Sequence, residues 1–329
     1  MIISRTPFRI SFFGGGTDFP IWYKDNVSKV INVAINKYCY VNVRKLPPFF
    51  KFKYRLRYHL TEEAKFISKI KHPTVRETLR YLNYDDNFEM IHNADLPAQS
   101  GLGASSSFTV GLLNCVHALN NKYISQKYLA NQAIDIEQNK VKDIVGSQDQ
   151  VAASFGGFNV IDFFGNSIKV KQIPLSFKNL KKLEKNILLV FSGFPRSASA
   201  VEKQKIKRYS KNISILKEIN KISLEAEDKI YNSKNITSDF AELLNKYWYY
   251  KKQLASNVSN KSINSLINIG LKNGAVGAKI LGAGEGGFVM FLVEEKNISK
   301  LAKSFKGKLT LPINFEGTGS QIIYFSENE

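Results

Sequence analysis

Residues 96–107, Leu-Pro-Ala-Gln-Ser-Gly-Leu-Gly-Ala-Ser-Ser-Ser, constrain this chain more than any other stretch. A Gly-x-Gly turn runs into small residues and then into the helix-compatible run 108–118. Such a loop lets backbone N–H groups converge on an anion, and the helix behind it adds the positive end of its dipole. Ser hydroxyls supply oxygen ligands for a hard cation such as Mg²⁺. The combination suits a nucleoside triphosphate. No Lys follows the glycines, so the segment is not a Walker A loop. Taken alone, it is equally compatible with a turn that caps an ordinary helix.

Two further glycine-rich segments change that balance. In Arg5–Asp18, RTPFRISFFGGGTD, a strand runs into three glycines, which bring backbone close to a ligand without Cβ obstruction. Asp18 can accept hydrogen bonds from substrate hydroxyls, and Arg9 can sit near phosphate oxygens. In Gly277–Phe288, GAKILGAGEGGF, four glycines fall within six residues, more than a hairpin turn requires. A second backbone surface packed on the phosphate loop would explain them, with a β-bulge as the alternative. Between these segments, Glu137 ends a helical stretch and Asp149 lies in VGSQDQVAASFGG, twelve residues on. They can converge, Glu137 on a metal and Asp149 on a substrate hydroxyl.

The 329 residues are enough for two domains with a real core. Strands are expected at 2–13, 29–44, 51–60, 87–92, 186–191, 277–281, 287–293 and 320–325, with a hairpin over 157–173. Helices are expected at 62–71, 74–83, 107–119, 125–139, 261–272 and 297–304, and through most of 198–258. Mixed in this order, they indicate an α+β chain with a boundary near residue 180: residues 1–180, then 181–329. No apolar run reaches membrane-spanning length, and the N-terminus reads as a first strand, not a signal peptide. Cys39 and Cys115 lie in apolar contexts, as reduced packing residues of a cytoplasmic protein do. Together with the four His they form no metal-ligand spacing.

The net charge of +19 is spread along the chain and is compatible with anionic ligands. It concentrates with aromatics only in Lys51–Leu60, where basic and apolar residues alternate. That period predicts a strand with one basic, solvated face, and leaves a phosphate-facing or nucleic-acid-facing strand as alternatives.

In order and spacing, TPFRISFFGGGTD, PAQSGLGASSS and KILGAGEGG resemble the three signature motifs of the GHMP kinases. The resemblance implies an N-terminal domain like ribosomal protein S5 domain 2, a ferredoxin-like C-terminal domain, and ATP and substrate between them. Galactokinase-like members carry Gly-Glu-His-Thr-Asp where this chain has Gly14–Asp18, so the Glu and His are missing. The GGGTDFP form, the stretch from Tyr54 to Leu79 and SGFPRSAS look like the branch acting on heptose 7-phosphate, with fucokinase-like domains as relatives.

By position, the resemblance implies ATP contacts from Pro97, Ser100, Gly101, Leu102, Gly103, Ala104, Ser105, Ser106, Ser107, Gly282 and Gly284. It implies Mg²⁺ on Glu137 and Ser105, with Ser106 as the fallback because Ala104 replaces the motif's first Ser. Asp149 takes the catalytic position, and Arg9 stands near the transferred phosphate. Gly15, Gly16, Thr17 and Asp18 face the sugar, with Arg196 on the substrate phosphate and Arg5 and Lys37 behind it. The implied reaction moves the γ-phosphoryl of ATP to the anomeric hydroxyl of D-glycero-D-manno-heptose 7-phosphate. The implied partners are ATP and a sugar phosphate, with no nucleic acid and no membrane, in a monomer or homodimer. Fucose-, mevalonate- or homoserine-type acceptors, and a non-catalytic sugar or nucleotide sensor, remain open.

Overall fold

The computed structural model describes residues 1–193 and 198–326. Strand β1 (Ile2–Phe13) pairs antiparallel along most of its length with the long strand β2 (Ser28–Arg44), with the short helix α1 (Pro20–Tyr23) between them. Strand β1 is rich in Ile and Phe and β2 in Val and Ile, residues that suit a pleated and buried surface. A hairpin follows, β3 (Tyr54–Arg57) and β4 (Thr61–Ala64), then helix α2 (Pro73–Tyr81) and strand β5 (Phe88–Ala94). Next come helices α3 (Ala104–Leu119), α4 (Gln126–Asp135) and α5 (Gln148–Phe155), and the hairpin β6 (Phe158–Phe164) and β7 (Ser167–Ile173).

The far edge of β2 is shared: β6 pairs with Ser28–Val33 and β5 with Cys39–Arg44. Strand β3 then joins β5 in parallel. Helix α3 is apolar on nearly every side and buried through its middle, as a helix covered all round must be.

The second half opens with α6 (Lys178–Lys185) and β8 (Ile187–Phe191). Helices α7 (Ala198–Lys207), α8 (Tyr209–Asn232), α9 (Ile236–Lys251) and α10 (Lys261–Lys272) lead to β9 (Gly277–Ile280) and β10 (Phe288–Leu292). Helix α11 (Ile298–Ser304) and the short β11 (Thr310–Leu311) follow. These strands form a separate antiparallel sheet in the order β11-β8-β10-β9. The chain then returns to the first sheet, where β12 (Gln321–Phe325) pairs with the outer edge of β1. Two sheets, each with its own helices, make a mixed α+β fold.

Two expectations fail here. Residues 61–64 form a strand, and only a short 3-10 turn at Ile67–Lys69 precedes α2, because the backbone of 61–64 pairs with β3. The basic segment is a strand only over 54–57, and its face is not free. Arg55 is buried and donates to Glu89 at 2.6 Å, and Arg44 reaches the same carboxylate at 2.6 Å. A buried carboxylate with two guanidiniums is a structural ion cluster, not a polyanion surface.

The halves are joined by more than the chain. Lys29 of β2 pairs with Asp162 of β6 at 2.5 Å and with Glu227 of α8 at 2.7 Å. Lys279 of β9 is fully buried and donates to the carbonyls of Ser11 (2.8 Å) and Phe12 (2.7 Å) at the end of β1. No helix of the described residues is long and apolar enough to cross a membrane.

Candidate active site

The loop before α3 ends at Gly103, whose left-handed backbone (φ 81°) occupies the helix N-cap without a side-chain cap. The first-turn N–H groups of α3 are therefore left for a ligand, at the positive end of the helix. The third glycine segment packs on this loop, as the sequence had suggested. A Cβ on Gly282 would lie 2.7 Å from Gly101 Cα, and one on Gly287 would lie 2.4 Å from the Ser100 carbonyl. The amide of Phe288 donates to that same carbonyl at 3.1 Å. Only glycine permits such contact between two backbones.

Beside this seam lies a cleft of about 440 Å³ lined from both halves of the molecule. Arg9 projects from β1 and grips Asp149, in the first turn of α5, with two hydrogen bonds of 2.7 and 2.6 Å. Its third nitrogen donates to the Gly101 carbonyl at 2.7 Å. A planar guanidinium fixes both carboxylate oxygens at once, and each oxygen keeps a lone pair for another donor. Asp18 lies on another wall, accepting from the Gly16 amide and from Gln148 Nε2, each at 2.9 Å. Burial is the main cause that raises its pKa above the usual value, with the Asp149 charge adding to it. Thr17 is turned inward, donating to Gly14 O at 2.8 Å, and holds the turn that presents Asp18.

Helix α4 does not continue regularly. Residues Ile136–Lys140 form a π-helical turn, in which the Val141 amide bonds to Ile136 O at 2.8 Å. Such one-residue expansions re-aim side chains and are frequent at functional sites. This one turns Glu137 inward. Its carboxylate accepts from Ser106 Oγ (2.9 Å), Thr109 Oγ1 (2.6 Å) and the Gln150 amide. Burial nevertheless pushes it up to about 7, against the lowering effect of these donors. Gln150 Oε1, beside it, is buried with no partner among the described residues. An oxygen-only set of hydroxyl, carboxylate and amide, with a buried acid short of positive charge, fits a hard divalent cation such as Mg²⁺. Ser106 is the serine joined to Glu137. Ser105 is exposed on the cleft wall.

Of the ATP-contact residues expected from sequence, Ser100, Gly101, Gly103, Ala104, Ser105, Ser106 and Gly282 line the cleft. Pro97 is exposed outside it, Leu102 is buried with its carbonyl bonded to the Arg9 amide, and Ser107 donates to Pro7 O at 2.8 Å. Gly284 packs on Val258. Gly15, Gly16 and Asp18 line the cleft. Arg5 and Lys37 do not, which corrects the expectation that they stand behind the substrate phosphate. Arg5 lies four residues up β1 from Arg9, about 13 Å at strand rise. There it bonds to Gln321 of β12 and lies over the Tyr38 ring. Lys37 falls at the bulge of β2 opposite Pro7 and Phe8, midway between the partners of Arg5 and Arg9, and is not among the residues lining the cleft. Arg196 lies outside the described residues.

The cleft also contains residues that the sequence did not single out: Gln148, Glu202, Lys205, Tyr247 and Lys251. Tyr247 donates to Gly15 O at 3.0 Å and so props the first glycine loop from α9. Gln148 stands beside Asp149 at the start of α5, while the other four lie in helices α7 and α9, without a motif. The one available signal was the aromatic run ending in Lys251.

Family models agree with this arrangement. The model described as GHMP kinases N terminal domain matches residues 68–157, and that described as GHMP kinases C terminal matches residues 234–309. The chain belongs to the GHMP kinases. This kinase is 27% identical to D-glycero-alpha-D-manno-heptose 7-phosphate kinase of Campylobacter jejuni over 318 residues, 93% of each chain. It is 28% identical to mevalonate kinase of Methanocaldococcus jannaschii over 231 residues, 70% of each chain. Among solved structures it resembles a D-glycero-D-manno-heptose 1-phosphate kinase from Bacteroides thetaiotaomicron, with a TM-score of 0.81 and 20% identity. That likeness covers 99% of this chain and all of the other. Members of the family are phosphotransferases that use ATP as donor.

Proposed function

We propose that this GHMP kinase phosphorylates a sugar phosphate, and that the acceptor is D-glycero-D-manno-heptose 7-phosphate, taken at its anomeric hydroxyl to give the 1,7-bisphosphate. The observation that carries the reading is the pairing of Arg9 with Asp149 beside the phosphate loop, with Asp18 on another wall of the same cleft. The Campylobacter relative, matched along nearly the whole chain, supports the choice of sugar. The missing Glu and His at Gly15 and Gly16 weigh against a galactose-type acceptor.

In this reading the donor's phosphates lie on the loop 100–106, at the uncapped start of α3, with the Gly282 backbone closing the seam. Asp18 accepts hydrogen bonds from sugar hydroxyls. One lone pair of Asp149 accepts the proton of the anomeric hydroxyl as that oxygen attacks the γ-phosphorus. The bond to the bridging oxygen breaks, and its electron pair leaves with ADP. Arg9 holds Asp149 in register and places positive charge beside the phosphoryl group. Such positioning and charge neutralisation supply most of the rate in phosphoryl transfer. Glu137 and Ser106 would hold Mg²⁺, with Ser105 at the adjoining wall. When bound, that ion neutralises charge on the donor's phosphates. The division near residue 180 sets the phosphate loop and Asp149 in one part, and Lys205, Lys251 and Gly282 in the other.

ADP release measured over heptose 7-phosphate, fucose, mevalonate and homoserine tests the reading. Turnover with the heptose phosphate well above the others is the expected outcome. A preference for mevalonate or homoserine would replace the acceptor. Nucleotide binding without ADP release on any of them would indicate a sensor on the kinase fold.

A further inference from the structure

Lys251 ends α9 inside the cleft, 4% exposed, and its ammonium donates to Gly282 O at 2.6 Å and to Ile280 O at 3.4 Å. Among the described residues no carboxylate lies within ion-pair distance of it. Lys205 of α7 lies beside it, donating to Ala283 O at 3.0 Å and pairing with Glu202 at 2.9 Å. The two lysines therefore sit on the Gly282–Ala283 ridge, the same backbone that packs on Gly101 of the phosphate loop. Arg9 reaches Gly101 O from the other side of that seam.

A buried ammonium held by neutral carbonyls, with the Tyr247 ring at 5.8 Å, is unfavourable for folding, because these neutral groups do not replace the hydration it loses. Its placement in a wall of the reaction cleft points to a ligand that supplies the missing negative charge. Burial, then the neighbouring Lys205 charge, depress its pKa to about 7. Glu202 and Asp18 act in the opposite sense, and Arg9 in the same. An arriving anion would restore the full charge.

We propose that Lys251, assisted by Lys205, is a phosphate-binding residue of this cleft, contributed by the C-terminal half opposite Arg9. The phosphate is either the phosphoryl group in transit from ATP or the phosphate already on the acceptor. The inference rests on the kinase reading, but not on the identity of the sugar.

Lys251→Met keeps the length and removes the charge. The ligand-free variant should melt at or above the parent temperature, because an unpaired buried charge has been removed. If Lys251 holds the transferred group, kcat falls by about 10²–10³-fold, as when one donor to developing charge is lost, and acceptor KM changes little. If it holds the acceptor's own phosphate, KM for heptose 7-phosphate rises at least about tenfold, a charge-assisted hydrogen bond's worth. The preference over unphosphorylated heptose then disappears. Lys205→Met should shift the same parameter by less. Unchanged kcat and KM in folded Lys251→Met would overturn the proposal. Should that variant fail to fold, unchanged parameters in Lys205→Met would do the same. Calorimetry with the non-hydrolysable analogue AMP-PNP and with tripolyphosphate needs no acceptor. Weakened binding of either by the variant supports the inference even if no heptose is turned over, so a wrong sugar and a wrong role for Lys251 give different results.

Discussion

At the scale of single residues, the account assigns the proton acceptor to Asp149 and the buried cations to ligand binding. Asp149→Asn keeps the shape and retains one oxygen acceptor for Arg9. It should still fold, with a melting temperature lowered by the loss of Arg9's counter-charge, and lose about 10²–10⁴-fold in turnover, the usual contribution of a positioned general base. Steady-state ADP release with near-parent turnover in the variant would remove Asp149 from that role. A second prediction follows from Lys251. Its folded pKa, about 7, lies below the ordinary lysine value of 10.5. The ligand-free parent therefore loses stability as pH falls from about 10.5 to 7, where the folded state resists taking up the proton. Lys251→Met has no such loss. The melting-temperature advantage of the variant should be greatest near pH 7 and shrink towards pH 10.5. Parallel pH profiles would mean that the ammonium is not the source.

These residues differ in how far the sequence exposed them. Arg9, Asp18 and Asp149 stand in or beside segments whose glycines have no other purpose than close backbone approach, so their convergence could be anticipated. Arg5 could not be separated from Arg9 by type or parity, because both lie on the same strand. Only distance along it separates them. Lys251 and Lys205 lie in polar helices where another lysine is unremarked, and their meaning appears only with Gly282 and Ala283 against them. Arg55 was read as solvated because alternation reports which residues share a face, not that Glu89 waits on a neighbouring strand.

Among the elements, the interlocked glycine segments are the most specific construction. Gly287 and Gly274 both have left-handed backbone (φ 92° and 102°), but a Cβ on Gly274 would meet nothing within 4 Å. Gly274→Ala should cost about 1–2 kcal/mol, the conformational penalty alone. Gly287→Ala must also push its Cβ away from the Ser100 carbonyl, so urea melts should show a larger loss. AMP-PNP titration should show weakened binding only for the second. Equal effects on binding would contradict the idea that the two backbones shape the phosphate site together. Helices with strong periodicity, such as α10, were placed closely from sequence. The segment at 62–71 was not, since its propensity is helical while its backbone completes a sheet. The π-helical turn that aims Glu137 left no trace in the pattern, because one extra residue in a helix alters geometry and not composition.

For the whole molecule, the cleft belongs to both halves, and the buried lysines Lys29 and Lys279 and the strand pairing of β12 with β1 couple them. The two tryptophans report on this directly. Trp22 is buried in α1 of the first half, and Trp248 in α9 of the second. Single-tryptophan variants, Trp22→Phe and Trp248→Phe, should give coincident urea transitions by fluorescence. AMP-PNP at a hundred times its Kd should move both transitions by the same increment, about 2.7 kcal/mol. Two separated transitions, with only one responding to nucleotide, would mean that the halves fold and bind independently. The mixed α+β architecture was visible in the alternation of strand and helix patterns. The return of β12 to the edge of β1 was not, since nothing local in QIIYF names its partner.

The central claim is that an existing phosphate on the sugar is part of what the cleft recognises. Initial rates of ADP release with D-glycero-D-manno-heptose 7-phosphate and with the unphosphorylated heptose, compared at equal concentration, test it most directly. The account predicts clearly faster release with the phosphorylated sugar, and equal rates, or faster release with the unphosphorylated one, would contradict it.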